Sequence, residues 1–577
     1  MVESNEKRIA IIGAGVSGLA SVKECLDNKL IPICFEQNSF IGGHWKTEEK
    51  NEYNQNFYSA IYKNLITNTS KEMTAYSDFP MPAEWPTFLD CPLVEKYIEM
   101  YAKKFNLSPH IKLNTKVINI SMLDDKRWKI KYITQDQNNK NDKNNITQNE
   151  EKEEIFDYVM VCNGHHHNPQ FPKFKGMDKF KGEQIHSRSY NDPEDFKNKR
   201  VLIVGGGHSG LDIAVQLSSV TSRVYLSLRS DFKNKRVLIV GGGHSGLDIA
   251  VQLSSVTSRV YLSLRSGRLP WIVPRHLKGK PLDHYSRFII YAIPLKIRQK
   301  LISKAILDTF DPLPSYLENS KPIDPIFTTT SLSINNGIFK CIRDGSVIVK
   351  PNIRELKSKE DEESNQGNNQ VEFVDESIIE DIDIIIYATG YKLGFPFLDK
   401  SIITGGDKIE QEYGEKYQEN LVWLYKRIFP VNHPNIAIIG LVFGAEAFLP
   451  LGEMQARYVV NQIKGLINPL PPPHEMDKSI RQYYKKNEQI YFDPEHHTFH
   501  APALLYLDEL SKEIGCYPYP WEIIKKFGFM FYWKFIIFGM ATPHQHRLLG
   551  RNSLSRAKEV NKILENAKEK HGICSGG

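Results

Sequence analysis

Near the start of the chain the apolar positions form one continuous run, Ile9-Ala10-Ile11-Ile12 after Arg8, with no polar residue alternating between them. A run of this kind marks a parallel strand buried on both faces. Gly13-Ala14-Gly15-Val16-Ser17-Gly18 follows, then a helical stretch from Leu19 to Asn28, then a second strand, Ile31 to Phe35, ending in Glu36. The same order returns later. Strand Arg200 to Val204 leads into Gly205-Gly206-Gly207-His208-Ser209-Gly210, and strand Val224 to Leu228 ends in Arg229. Two such units predict an α/β chain with two doubly wound, Rossmann-like dinucleotide-binding domains.

The glycine spacing has a mechanical meaning. Gly13 allows the tight turn, Gly15 lets the backbone approach a pyrophosphate, and Gly18 lets helix and strand pack closely. The helix start adds free N–H groups and the positive end of a dipole. Glu36 stands 18 residues after Gly18, where a carboxylate binds ribose hydroxyls and repels a 2′-phosphate. The second unit ends instead in Arg229, whose guanidinium suits a 2′-phosphate. The economical assignment is FAD at the first turn and NADPH at the second, with hydride passing from nicotinamide to flavin. Cys25 and Cys34 lie on the helix and strand of the first unit and read as packing residues, not a redox pair.

The second unit occurs twice. Residues 195–230 are repeated without one difference as 231–266, so the turn recurs as Gly241-Gly242-Gly243-His244-Ser245-Gly246 and the arginine as Arg265. Perfect identity marks a very recent duplication or an error in the assembled sequence, since structural repeats diverge. Copy one has its native upstream context and copy two its native downstream context. One unit is expected to take the sheet position beside the switch point, with the other looped out and its apolar strand exposed. Closing 36 extra residues as a loop costs only about 3 kcal/mol, which does not exclude folding.

Two polar stretches, 134–154 and 358–370, are too poor in apolar residues to order themselves, and their strand-like flanks make them hairpin extensions. Pro469, Pro471, Pro472 and Pro473 mark a break before a helical C-terminal region. Within it, the aromatic-rich segment 527–541 reads as a buried helix or strand pair, or more sharply as a membrane-surface or tunnel patch. His496, His497 and His500 include an i, i+4 pair but lack a third ligand nearby, so no metal site is assigned.

Composition adds limits. The 577 residues are 41% hydrophobic and 25% charged, an ordinary globular balance. A net charge of +6 from 74 basic and 68 acidic residues gives no case for nucleic acid. Seven cysteines without a C-x-x-C spacing suit a reducing compartment. No apolar run reaches about 18 residues, so no spanning helix is expected. Cys574 stands fourth from the end, but Ser575 and Gly576 are not aliphatic, which argues against prenylation.

Several segments together resemble the flavin-containing monooxygenase family, of the animal N- and S-oxygenating type. Phe180, Gly182, His186 and Tyr190 match its FxGxxxHxxxY signature just before the second turn. Gly42-Gly43-His44-Trp45, Asn64 to Met73, Cys162 to His166, Tyr387 to Tyr391 and Glu453-Met454-Gln455-Ala456-Arg457 agree in order. So do Leu505 to Leu510 and Pro543 to Leu548, and the likeness runs from about Arg8 to about Ala557. It implies a fold in which the NADPH domain is inserted into the FAD domain. The boundaries are 1–172 for the first part of the FAD domain, 173–325 for the NADPH domain, 326–467 for the second part, and 468–577 for the helical region.

The resemblance also implies a mechanism. NADPH reduces FAD, O2 adds to give a C4a-hydroperoxide, and a soft nitrogen or sulfur nucleophile of a small molecule takes one oxygen atom. Asn68 would be the catalytic residue, holding the oxygenated flavin and NADP in place. The family pattern carries Gly13 to Gly18, Glu36, Gly43, His44, Trp45, Thr67, Thr69, Thr389 and Gly390 over as cofactor-binding residues. Around NADPH it implies Gly205, Gly207, Ser209, Gly210, Leu211, Asp212 and Arg229, or their copies Gly241, Gly243, Ser245, Gly246, Leu247, Asp248 and Arg265. His186 more naturally braces the domain junction than moves protons. A Baeyer–Villiger or N-hydroxylating relative is a second reading, set back by Tyr190 where those enzymes usually carry Trp. A reading of another class is a flavin-binding protein without turnover, its NADPH site spoiled by the duplication. The animal enzymes end in an apolar anchor, whereas Arg556 to His571 is charged; this implies a cytoplasmic protein, soluble or loosely attached to the endoplasmic reticulum membrane.

Overall fold

The computed structural model describes residues 6–46, 65–134, 151–165, 168–181, 183–186, 189, 201–204, 236–240, 259–263, 272–273, 275–277, 279–285, 293–294, 297, 333–334, 347–359, 368–380, 384–387, 389–417, 420–442, 448–490, 498, 501–551 and 553. Among these, two parallel sheets form the frame. The first runs Ile436–Ile438, Tyr158–Val161, Arg8–Ile12, Ile31–Phe35, Ile111–Lys112 across its width. Strand Arg8–Ile12 is apolar from Ile9 onward because both faces are covered there. Ile9 and Ile11 pack with Leu19, Val22, Tyr76 and Met454 on one side. Ala10 and Ile12 pack with Trp128, Ile130 and Phe156 on the other.

The second sheet runs Val347–Lys350, Arg259–Ser263, Arg236–Val240, Val201–Val204, Ile384–Tyr387, Glu183–His186. All of its strands fall in sequence between Tyr158–Val161 and Ile436–Ile438 of the first, so one doubly wound unit is inserted in the other. It draws on the 326–467 stretch as well as on 173–325, through Val347–Lys350 and Ile384–Tyr387.

The looped-out copy is a correction. The first strands of both copies, Val201–Val204 and Arg236–Val240, lie side by side in this sheet. They pair in parallel with Ile203 opposite Ile239 and Val204 opposite Val240, so each residue faces its own duplicate. A looped-out strand would leave a row of backbone groups and apolar side chains without cover. Pairing restores the ladder, and identical strands in register keep every residue on the face its duplicate occupies. The intervening 205–235 exceeds the dozen or so residues a parallel crossover needs.

Both hairpin extensions are present, with a change in their limits. Trp128–Thr134 pairs antiparallel with Glu151–Phe156, and Ile353–Lys359 with Asn368–Phe373. The strands therefore continue into sequence that reads as too polar to order. Ion pairs explain the first case, for Glu153 lies 2.9 Å from Lys131 and Glu154 2.6 Å from Arg8. In the C-terminal region helices span Pro473–Ile490, Ala503–Glu513 and Pro520–Phe527. The aromatic segment is helical, with Phe531, Phe535 and Ile536 buried against Ile523 and Leu548, and Phe529, Met530 and Trp533 exposed. No described helix is long and apolar enough to cross a membrane. His496, His497, His500, Cys574 and Arg556 to His571 lie outside the described residues.

A buried ion cluster ties this region to the first glycine turn. Helix Val16–Asp27 is buried from Gly18 to Cys25, which takes Lys23 and Glu24 into the interior. Arg547, from the turn Pro543–Arg547, reaches Glu24 at 2.5 Å, Glu453 at 2.7 Å and Asp78 at 3.3 Å. Its Nε donates to Ser77 Oγ at 2.8 Å. Lys23 pairs with Asp78 and with Asp27. Burial pushes the Glu24 carboxyl up, but Arg547, Lys23 and Arg457 outweigh it and hold it down at about 2.

Replacing Arg547 with Met leaves three carboxylates facing each other and should destabilise the folded chain by about 3–5 kcal/mol, read by urea denaturation at pH 7. Glu24 is held below its ordinary value of 4.5, so its contribution is complete above that pH and lost as pH falls toward 2. Glu24→Gln should therefore flatten the fall in stability across this window; an unchanged slope would show that the cluster is not the acid-sensitive element.

Candidate functional site

The first site forms where the strand order of the first sheet reverses, between Arg8–Ile12 and Tyr158–Val161. The loops after these two strands meet there. Gly13 has φ +101°, and a Cβ on it would stand 2.7 Å from the Cys162 carbonyl oxygen. A Cβ on Gly18 would stand 1.8 Å from the Gly13 carbonyl oxygen, so helix and turn touch where only glycine fits. Gly15 differs. It has ordinary dihedrals, φ −72° and ψ −174°, and a Cβ there would meet only the Gly43 Cα, at 3.8 Å. The space in front of Gly15 is thus open in a way that a side chain, or a ligand, would fill. Helix Val16–Asp27 begins there with no side-chain cap and no acid in its first turn, which suits a phosphate.

Glu36 is buried at the end of Ile31–Phe35. Its Oε2 accepts the Ala14 N–H at 2.8 Å, and its Oε1 accepts from the Asn38 backbone at 2.9 Å and side chain at 2.8 Å. Burial pushes the carboxyl above its ordinary value, against the opposing pull of these bonds. Gly43, His44 and Trp45 form the short turn beside it, held by a bond from the Gly42 N–H to the Ala14 carbonyl at 3.0 Å. Ala14 lies in the turn itself, and Val16 and Ser17 open the helix.

Asn68 sits in a second loop, which is fixed from two sides. Below it, Thr67 exchanges bonds with Leu89, at 2.8 and 2.9 Å, and the buried Lys71 donates to the carbonyls of Pro82, Ala83 and Trp85. Thr69 Oγ1 lies 2.8 Å from Thr74 Oγ1. From the other side comes a segment of the inserted unit, residues 275–285. Arg275 Nη2 donates to Asn68 Oδ1 at 3.1 Å, Asp283 Oδ2 accepts the Ser70 N–H at 2.6 Å, and His284 stands 3.4 Å from Glu72. Burial would raise Glu72, yet His284 and Lys71 hold it below its ordinary value; burial leaves Asp283 raised. Sequence reasoning missed Arg275, Asp283 and His284. A hint stood in the adjacent acid and histidine of 283–284, but nothing in their spacing names the loop they meet.

The crevice of the second sheet opens between Val201–Val204 and Ile384–Tyr387, where its strand order reverses. Thr389 and Gly390 follow the latter strand. Thr389 Oγ1 donates to the Gln170 carbonyl, and the Gly390 carbonyl accepts from Gln170 N–H and His186 Nε2, both at 3.0 Å. His186 is buried between Phe171 and Tyr391. Gly205, Gly207, Ser209, Gly210, Leu211, Asp212, Arg229, Gly241, Gly243, Ser245, Gly246, Leu247, Asp248 and Arg265 lie outside the described residues. Cys25 and Cys34 are buried, and burial pushes both thiols up.

The model of the flavin-binding monooxygenase-like family matches residues 6–231 and 229–568. The two matches meet at the junction of the two identical copies, so each takes up one copy. Flavin-containing monooxygenase 5 of Cavia porcellus is 32% identical over 579 residues, covering 96% of this chain and 91% of its own. The N-oxide-forming dimethylaniline monooxygenase 2 of Macaca mulatta is 32% identical over 570 residues, with the same coverage. Among solved structures, S-allyl-L-cysteine S-oxygenase from Allium sativum aligns with a TM-score of 0.56 at 22% identity, over 88% of each chain.

The two glycines separate ligand from fold. Gly15→Ala should give a folded protein, with far-UV circular dichroism unchanged, that purifies without the absorbance of a bound dinucleotide. Gly18→Ala should fail to fold or lose several kcal/mol, because the Gly13 carbonyl lies in the way. Retention of ligand by the Gly15 variant would place the dinucleotide elsewhere.

Proposed function

This chain belongs to the flavin-binding monooxygenase-like family, and on that premise we propose that it is an NADPH- and O2-dependent enzyme that transfers one oxygen atom to soft nitrogen or sulfur centres of small molecules. One observation carries the reading furthest: one chain holds two sheet switch points, the first with its glycine turn open at Gly15. FAD, held at the first switch point, would supply the redox and oxygen-activating chemistry. The residues around it do the rest. The Gly13–Gly18 turn and the helix start at Val16 hold the pyrophosphate, and Glu36 accepts from ribose hydroxyls while repelling a 2′-phosphate. Gly43, His44, Trp45, Thr67 and Thr69 line FAD. Asn68 supplies a fixed hydrogen bond at the reacting edge. Thr389 and Gly390 border the cofactors, and His186 braces the loop that carries them. Ser209 to Asp212 with Arg229, or Ser245 to Asp248 with Arg265, take NADPH.

The second reading, a flavin-binding protein without turnover, is favoured by the strand order. Arg236–Val240 stands between Val201–Val204, which borders the crevice, and Arg259–Ser263, which leads toward Arg265. The interposed strand puts Arg259–Ser263 one strand farther from the switch point, by about 5 Å.

We further propose that the protein is cytoplasmic and makes a peripheral membrane contact. Trp521, Phe529, Met530 and Trp533 are exposed on consecutive short helices that also carry Lys525, Lys526 and Lys534, a mix of aromatic and basic groups that suits a lipid surface.

Anaerobic mixing of the purified protein with NADPH, and separately with NADH, should bleach the flavin quickly with NADPH alone, and air should then restore it. Flavin that never bleaches would support the second reading. The 541-residue chain (577 − 36) then decides whether the repeat is responsible; the copies are identical, so deleting either yields the same chain. Cosedimentation with vesicles containing phosphatidylserine should be lost in a Phe529→Ser, Met530→Ser, Trp533→Ser variant; unchanged sedimentation would remove the patch from consideration.

A further inference from the structure

We propose that Arg275 decides which end of the Asn68 carboxamide faces the reaction centre, acting as a positioning residue for it; this rests on the reading of Asn68 above. An asparagine amide has a donor end and an acceptor end, and its terminal torsion has two broad, nearly equivalent settings. Unless a neighbour selects one, the residue offers a ligand either a donor or an acceptor. Arg275 makes that selection. A guanidinium carries donors alone, so the atom it meets at 3.1 Å has to be the amide oxygen. The amide nitrogen is thereby turned to the opposite side, and a donor is the end that stabilises negative charge developing on oxygen.

The arrangement is held firmly enough to matter. Arg275 is tied back by its own segment, its carbonyl accepting the Leu282 N–H at 2.9 Å. His276–Leu277 pairs with Lys280–Pro281, and Tyr285 Oη donates to the Leu277 carbonyl at 2.9 Å. That segment meets the Asn68 loop at three alternate positions: the side chain of Asn68, the backbone of Ser70 and the side chain of Glu72. Thr67 and Lys71 anchor the same loop from the opposite side. A shift of Arg275 relative to Asn68 would have to break several of these contacts at once. The segment belongs to the inserted unit and the loop to the first, so the amide takes up this setting when the two units are docked.

The test is a double-mutant cycle of Arg275→Met and Asn68→Ala, with Arg275→Lys as the conservative variant. Four quantities are read: hydrogen peroxide released per NADPH oxidised with thioanisole present, the rate of anaerobic flavin bleaching, the visible circular dichroism of the resting flavin, and Tm. Arg275→Met should raise peroxide release about tenfold and alter the flavin dichroism, while bleaching stays within about twofold and Tm is little changed. Arg275→Lys, which keeps a donor, should recover part of the coupling. In the Asn68→Ala background Arg275→Met should add less than about twofold, because its effect passes through the missing amide. Equal effects in both backgrounds overturn the proposal, as does an unchanged Arg275→Met beside an affected Asn68→Ala. An Asn68→Ala protein that behaves as the parent overturns the reading of Asn68 and this inference with it. Should the Met variant fail to fold, Arg275→Lys with and without Asn68→Ala carries the same comparison.

Discussion

The buried contacts of Arg547 tie together three parts of the chain that lie far apart in sequence. Its guanidinium joins Glu24, on the helix that rises from the first glycine turn, to Glu453, on helix Phe448–Ile463, and to Asp78, on the stretch that follows the Asn68 loop. The separation in sequence between Arg547 and Glu24 is 523 residues. Ions removed from water gain little net stability, since desolvation consumes several kcal/mol per charge. What they supply is direction: three carboxylates and the cations among them are satisfied in one arrangement, and a slipped helix would strand a charge. The glycine turn, the Asn68 loop and the end of the chain are thus set against one another by a constraint that apolar packing alone would leave loose.

From that frame the site follows in order. Helix Val16–Asp27 cannot move without disturbing the cluster, so the open space at Gly15 and the Glu36 carboxylate keep their relation. The Asn68 loop begins close to the same cluster, since Ser77 and Asp78 lie shortly after it, and Lys71 fills it from below. The inserted unit then closes over the loop through residues 275–285. The function proposed above would ask the protein for placement more than for proton transfer, and the Asn68 loop is anchored from two sides.

The exact repeat shows how a fold absorbs an intrusion. A parallel sheet accepts an extra strand when the new strand matches its neighbour in register and when the connections are long enough to cross over. Identity guarantees the first condition, and the 36-residue period satisfies the second. Stability of the sheet and service to the ligand are different demands, however. The ladder is satisfied by any matching strand, whereas a dinucleotide crevice depends on which strand stands at the switch point and which one carries the arginine.

Local chemistry was legible without the structure. The first glycine turn, its strand and helix and the carboxylate of Glu36 lie within 29 residues, from Arg8 to Glu36, and each is forced by a short-range requirement: a positive φ at Gly13, contact at Gly18, burial on both faces of Arg8–Ile12. The hairpins could be foreseen as well, though not their limits, because the ion pairs that extend Glu151–Phe156 come from Arg8 and Lys112, far away in sequence. Only the tertiary structure decided that both copies enter one sheet, that Arg547 lies among buried acids, and that Arg275 meets Asn68. Each is a pairing across at least 36 positions, and no residue spacing encodes it; it exists because the folded backbone brings a donor to an acceptor that the chain holds far apart.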